Sequence, residues 1–136
     1  MKQEDRKLLL IDLYARLPYG IKFKAEDDEC IREIHYIKGE DVYIREYRYL
    51  PYWIDTIKPY LRPMSSMTEE EKRHISKMMC LRTYDDGVVH DMNYPVYTPY
   101  YVMEDCLSYL RSIHVDYSGL IEKDLALAAP EGMYEY

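Results

Sequence analysis

Apolar residues recur at Leu10, Leu13, Tyr14 and Leu17. That i, i+3, i+4, i+7 spacing marks one helix face and predicts a helix over 3–17, with Leu9 widening the stripe. On this wheel Asp12 and Arg16 fall on the wet side as an i, i+4 ion pair, and Pro18 and Gly20 end the helix. The period then changes. Ile21, Phe23 and Ala25 alternate with Lys22 and Lys24, the pattern of a half-buried strand over 21–25, and the acidic run Glu26-Asp27-Asp28-Glu29 turns the chain. Segments 30–38 and 41–50 read as a hairpin closed by Gly39-Glu40. Such a turn sets Lys38 opposite Asp41, Ile37 opposite Val42, Tyr36 opposite Tyr43 and His35 opposite Ile44. Further out it sets Ile34 opposite Arg45 and Arg32 opposite Tyr47. One face then holds Ile31, His35, Ile37, Val42 and Ile44; the other holds Arg32, Ile34, Tyr36, Tyr43, Arg45 and Tyr47. Pro51 stops the strand, and 52–57 gives a short strand or turn. Pro59 and Pro63 restrict Tyr60-Leu61-Arg62 to an edge strand or extended segment.

The second half is helical. Thr68 followed by Glu71 is a capping box, and three glutamates suit the positive end of a helix running to about Cys80 with Ile75, Met78 and Met79 inward. Residues 83–99 read as a loop. A third helix over 102–114 presents Met103, Cys106, Leu107, Leu110 and Ile113 or His114 on one face. The apolar stretch 120–129 packs back on the domain, and 130–136 form a loose tail. Together these elements predict an α+β fold in a single domain spanning 1–136. A small twisted antiparallel sheet, of the SH3-like partial-barrel kind, occupies 21–62. One helix precedes it within 1–20, and two helices follow within 63–129.

Charge narrows the partners. Lys and Arg number 18 against 25 Asp and Glu, a net charge of −7. Residues 85–136 hold 2 basic and 10 acidic residues, a balance that argues against binding duplex nucleic acid. No apolar stretch approaches the length of a membrane helix, and no cleavage pattern follows the charged start and short apolar run Leu8 to Ile11, so neither a membrane anchor nor a signal peptide is expected. Three cysteines without paired spacing fit a reducing cytoplasm.

The aromatic usage is unusual: 17 Tyr against one Phe and one Trp. Tyrosine in place of phenylalanine implies half-buried rings with wet edges, as at interfaces. The face carrying Lys22, Lys24, Arg32, Tyr36, Tyr43, Arg45 and Tyr47 is the candidate ligand site, because rings stack on planar groups and guanidinium forks hold phosphate or carboxylate. Tyr49, Tyr52 and Trp53 extend it. Tyr94, Tyr97, Tyr100 and Tyr101, set among Pro95 and Pro99, form a candidate protein-contact loop. No cysteine or histidine pair has zinc spacing, no nucleophile elbow is present, and the five glycines do not cluster into a phosphate loop. Accordingly no catalytic residue, metal or cofactor is expected. Ser65-Ser66 precede a cap, and Asp85-Asp86-Gly87 read as a turn.

The run from Ile57 through Pro59-Tyr60-Leu61-Arg62-Pro63 to Glu71 resembles a group of small proteins of Bacteroides-type gut bacteria and their phages and mobile elements. Asp116-Tyr117-Ser118-Gly119-Leu120-Ile121-Glu122-Lys123 with the following Leu125-Ala126-Leu127 and Ala129-Pro130-Glu131-Gly132-Met133-Tyr134 carries the same resemblance, as does Leu17-Pro18-Tyr19-Gly20. The resemblance implies a cytoplasmic accessory protein and transfers no catalytic residues. It further implies a shared scaffold around variable stretches at about 26–56 and 80–110. The leading expectation is a non-enzymatic binding protein that acts on a host protein, for instance a defence component. The alternative is a protein, oligomeric in that case, that sequesters a small anionic nucleotide signal on the Tyr/Arg face. A small hydrolase ranks third.

Overall fold

The computed structural model describes residues 1–84 and 100–134, with side-chain placement for 1–78 and 103–134. Helix α1 spans Gln3–Arg16 and continues through a 3-10 turn, Leu17–Tyr19, to Gly20, whose φ of 76° reverses the chain. Its inward stripe is Leu9, Asp12, Leu13 and Arg16. The expected wheel is therefore rotated. Tyr14 is exposed, and the Asp12–Arg16 pair, expected in water, is buried. Burial is tolerated because the two charges meet at 2.6 Å and Arg16 finds a carbonyl far along the chain.

Strand β1 (Lys22–Ala25) is as the alternation predicts, with Ile21, Phe23 and Ala25 in the core. Strand β2 (Arg32–Glu33) pairs with it antiparallel. The hairpin follows in the expected register: β3 (Tyr36–Lys38) and β4 (Asp41–Tyr43) pair Tyr36 with Tyr43, Ile37 with Val42 and Lys38 with Asp41. Its outer part differs. The ladder stops after His35 N–H donates to Tyr43 O, and β2 leaves to bond β1 instead. This switch between sheets turns Ile34 into the core beside Ile37 and leaves Ile31 and His35 outside. Strand β5 (Tyr52–Trp53) pairs with β4, a 3-10 turn covers Ile54–Thr56, and β6 (Ile57–Leu61) returns along β1. In place of one antiparallel sheet there are two: β2-β1-β6-β7 and β3-β4-β5. The last strand, β7 (Leu127–Ala128), runs parallel to β6.

Strand β6 is thus interior, not an edge, although it contains Pro59. Glu26 N–H donates to Thr56 O, so hydrogen-bonded pairs of this antiparallel ladder fall at 26/56 and 24/58. Pro59, opposite Phe23, occupies a non-hydrogen-bonded position and its nitrogen faces the other side. There β7 begins opposite Tyr60, so the missing donor falls just outside that ladder.

Helix α2 (Glu69–Tyr84) extends past the expected stop at Cys80. Its capping box is formed: Glu71 N–H donates to Thr68 Oγ1 at 3.1 Å, and Thr68 N–H donates to Glu71 Oε1 at 2.8 Å. Helix α3 (Tyr100–Ser112) packs on it through a small cluster of Met67, Ile75, Tyr109, Leu110, Ile113 and Val115, while Met103 is exposed. The larger core joins α1, both sheets, Leu120, Leu125 and Ala126.

Candidate functional site

Helix α3 ends two residues short of the expected 114, with Val115 N–H donating to Leu110 O and His114 N–H to Arg111 O. This pair of bonds closes a Schellman turn, and His114 takes the left-handed position, φ 62°, that glycine normally fills. The turn aims its imidazole back at α1. Nε2 lies 2.8 Å from Gly20 O and 3.1 Å from Tyr19 O, and because carbonyls only accept, Nε2 carries the proton. Burial lowers the His114 pKa, partly offset by these two bonds.

Around it lies a network that binds the two ends of the chain together. Arg16 donates to Asp12 at 2.6 Å and to Val115 O at 2.8 Å, with its guanidinium 4.8 Å from the centre of the Tyr117 ring. Ser118 Oγ donates to Asp12 Oδ1, and Asp116 accepts from the N–H groups of Leu120 and Ile121. The expected loose tail is tied down as far as Tyr134. Its ring stacks on His114 at 3.7 Å, its hydroxyl donates to Tyr60 O, and it accepts from Lys22 N–H. Asp12, Arg16, His114 and Asp116 are buried and their partners are at most half-exposed, so the network holds the scaffold.

The outward-facing candidates lie elsewhere, and the two sheets divide them. Lys22 donates Nζ to Met133 O and lies over Tyr134. Lys24 lines a cleft with Glu26, Asp55 and Lys58 on the β1–β6 surface. Arg32 is consumed by Asp28, which accepts from its Nε at 2.7 Å, and its guanidinium lies over Tyr47 with Glu46 at 3.6 Å. The predicted meeting of Arg32 and Tyr47 therefore occurs, by packing and not by strand pairing. Asp28 also accepts from Cys30 N–H and Tyr52 Oη. These donors, Arg32 first, hold the carboxyl far below its usual range. Partial burial, then Asp28, pushes the Tyr52 phenol up to about 12. In this cleft, closed by Trp53 and Pro51, Arg32 is neutralised by Asp28 and Asp27 adds a second carboxylate.

Tyr36, Tyr43 and Arg45 belong to the second sheet and its loop. Tyr36 and Tyr43 stack at 4.5 Å with planes 5° apart. Beside them, His35, Tyr36, Ile44, Arg45, Arg48 and Tyr49 line a cleft of about 360 Å³. Arg48 and His35 were not among the sequence candidates. The dense run Arg45, Tyr47, Arg48, Tyr49 ahead of Pro51 is the signal that points to Arg48. Of the second candidate group, Tyr94 and Tyr97 lie outside the described residues; Tyr100 and Tyr101 start α3, with side chains outside the described set. Among the described residues no group of three His, Cys, Asp or Glu could hold a metal, and no helix is long and apolar enough to cross a membrane.

No family model, curated protein or solved structure matches the chain.

Proposed function

We propose that this is a non-enzymatic binding protein of a phage or mobile element, acting in the bacterial cytoplasm on a host protein such as a defence component. The loop between β4 and β5 supplies the contact surface. The observation that carries this reading is that the loop displays large side chains the core does not use: Tyr49 is 89% and Leu50 69% exposed, with Tyr47 and Trp53 about half exposed. Aromatic and apolar groups held out on a loop, over two rigid strands, are the usual material of interface anchors. The resemblance described above supports the same reading, since it sets this loop within the variable stretch of a shared scaffold.

The test is affinity capture from a host lysate with wild type and with Tyr49→Ser/Leu50→Ser, alongside thermal melts. A host protein retained in stoichiometric amount by wild type and lost by the variant, with melting unchanged, is the expected result. Equal retention by both proteins refutes the assignment of the surface, and capture of no protein refutes the partner reading.

A further inference from the structure

Carboxylates outnumber cationic side chains in this protein, and its buried or half-buried arginines are neutralised one by one. Arg6 pairs with Asp55, Arg16 with Asp12, Arg32 with Asp28 and Arg62 with Glu71. Arg45 and Arg48 are exposed and stand outside this pattern. Among the described residues neither makes an ion pair or hydrogen bond, and both line the cleft of about 360 Å³ beside the second sheet. Four other clefts each have two carboxylates in the wall: Glu26 and Asp55, Glu71 and Glu131, Glu33 and Glu131, and Asp27 and Asp28 respectively. The wall here has none. Buried Ile44 forms the floor. Tyr36, whose plane is fixed by stacking on Tyr43, and Tyr49 offer ring faces, with His35 edge-on to Tyr36 at 5.4 Å.

We propose that this cleft binds a small anion in which a phosphate is joined to a flat ring, the chemistry of a nucleoside monophosphate. Two guanidinium forks on one short loop match the oxygens of a phosphate, and they carry no internal carboxylate that a ligand must displace. The tyrosine faces take the ring by stacking, which needs no hydrogen-bond match. A volume of about 360 Å³ is at the small end of ligand pockets and suits one ring with its phosphate. The cleft shares Tyr49 with the surface proposed for a protein partner, but Arg45 and Arg48 belong to the cleft alone, so the arginine variant tests this site independently of that reading.

Calorimetric titration with adenosine monophosphate, adenosine and inorganic phosphate tests the site. Adenosine monophosphate binds about ten-fold or more tighter than either fragment, because both halves of the cleft are then used. Arg45→Ala/Arg48→Ala weakens that binding by about ten-fold or more, as expected for lost charge-assisted hydrogen bonds, with unchanged melting because neither arginine has a partner among the described residues. Tyr49→Ala weakens it severalfold. Equal affinity for inorganic phosphate and the nucleotide, or wild-type affinity in the double arginine variant, overturns the proposal. Tighter binding of a single-stranded oligoadenylate than of the monophosphate also overturns it, in favour of a nucleic-acid strand.

Discussion

Replacing Arg16 by methionine isolates the cost of the buried ion pair. Arg16 is 0% and Asp12 3% exposed, so solvent cannot take over either charge. In Arg16→Met the Asp12 carboxylate keeps one donor, the Ser118 hydroxyl at 3.2 Å, and Val115 O loses the donor that reached it at 2.8 Å. A stranded buried charge costs roughly 3–5 kcal/mol, and an orphaned buried carbonyl roughly 1–3 kcal/mol more. The low ends sum to about 4 kcal/mol, which at a urea slope of about 2 kcal/mol per molar moves the unfolding midpoint down by about 2 M. Removing the carboxylate as well, in Asp12→Leu/Arg16→Met, abolishes the first cost and leaves only the carbonyl, a loss of about 1–3 kcal/mol. The rescue is strong because the native pair is itself imperfect: Arg16 Nη1 is buried without a hydrogen-bond partner. Urea titrations of wild type, both single variants and the double variant, followed by circular dichroism, complete the cycle. A single-variant loss below about 1 kcal/mol, or a double variant no more stable than Arg16→Met, refutes the reasoning.

Two further outcomes test the scaffold. Tyr134→Phe removes the hydroxyl that links Lys22 N–H to Tyr60 O, and lowers stability by about 1–2 kcal/mol, read as a melting-temperature fall of roughly 4 °C, while the exposed control Tyr49→Phe melts like wild type. The pKa of His114 is lower folded than unfolded, because of burial between Arg16 and Arg62, so below about pH 6.5 the unfolded chain binds the extra proton. Stability is then full above that pH and falls on acidification, with one proton's slope of about 1.4 kcal/mol per pH unit as its ceiling, and that fall is absent in His114→Phe. A second loss follows below pH 4.5, as Glu71, held down to about 2 chiefly by Arg62, takes up its proton.

Local rules made part of this fold legible. Strict alternation placed Phe23 and Ala25, Gly39-Glu40 set the hairpin register, and Thr68 with Glu71 started α2. What escaped depends on residues far away in sequence. A charged i, i+4 pair on a helix reads as solvated unless Val115 and Ser118, about a hundred positions on, are known to cover it. Pro59 reads as an edge signal unless β7 is known to begin one residue later. A second sheet could not be anticipated from the hairpin, because the switch at Ile34 depends on β1 competing for β2. Of the candidate site, Tyr36 was legible from its type and register, and Arg45 from its type alone, since the ladder ends at Tyr43. Arg48 was missed because it lies beyond the last paired residue, where alternation no longer assigns faces.

The contacts of Arg16 with Val115 and of Asp12 with Ser118 also set an order of events as the chain emerges during synthesis. The sheet of β3, β4 and β5 draws on residues 36–53 alone and can pair early. Helix α1, made first, must wait for residue 118 before its guanidinium and carboxylate have their remaining partners, and β6 waits for residue 128 before its second side is covered. Through that interval Leu9 and Leu13 have no finished core to enter. The N-terminal helix therefore stays without its partners until residue 118 has been made, and a pause in translation before that point prolongs its exposure.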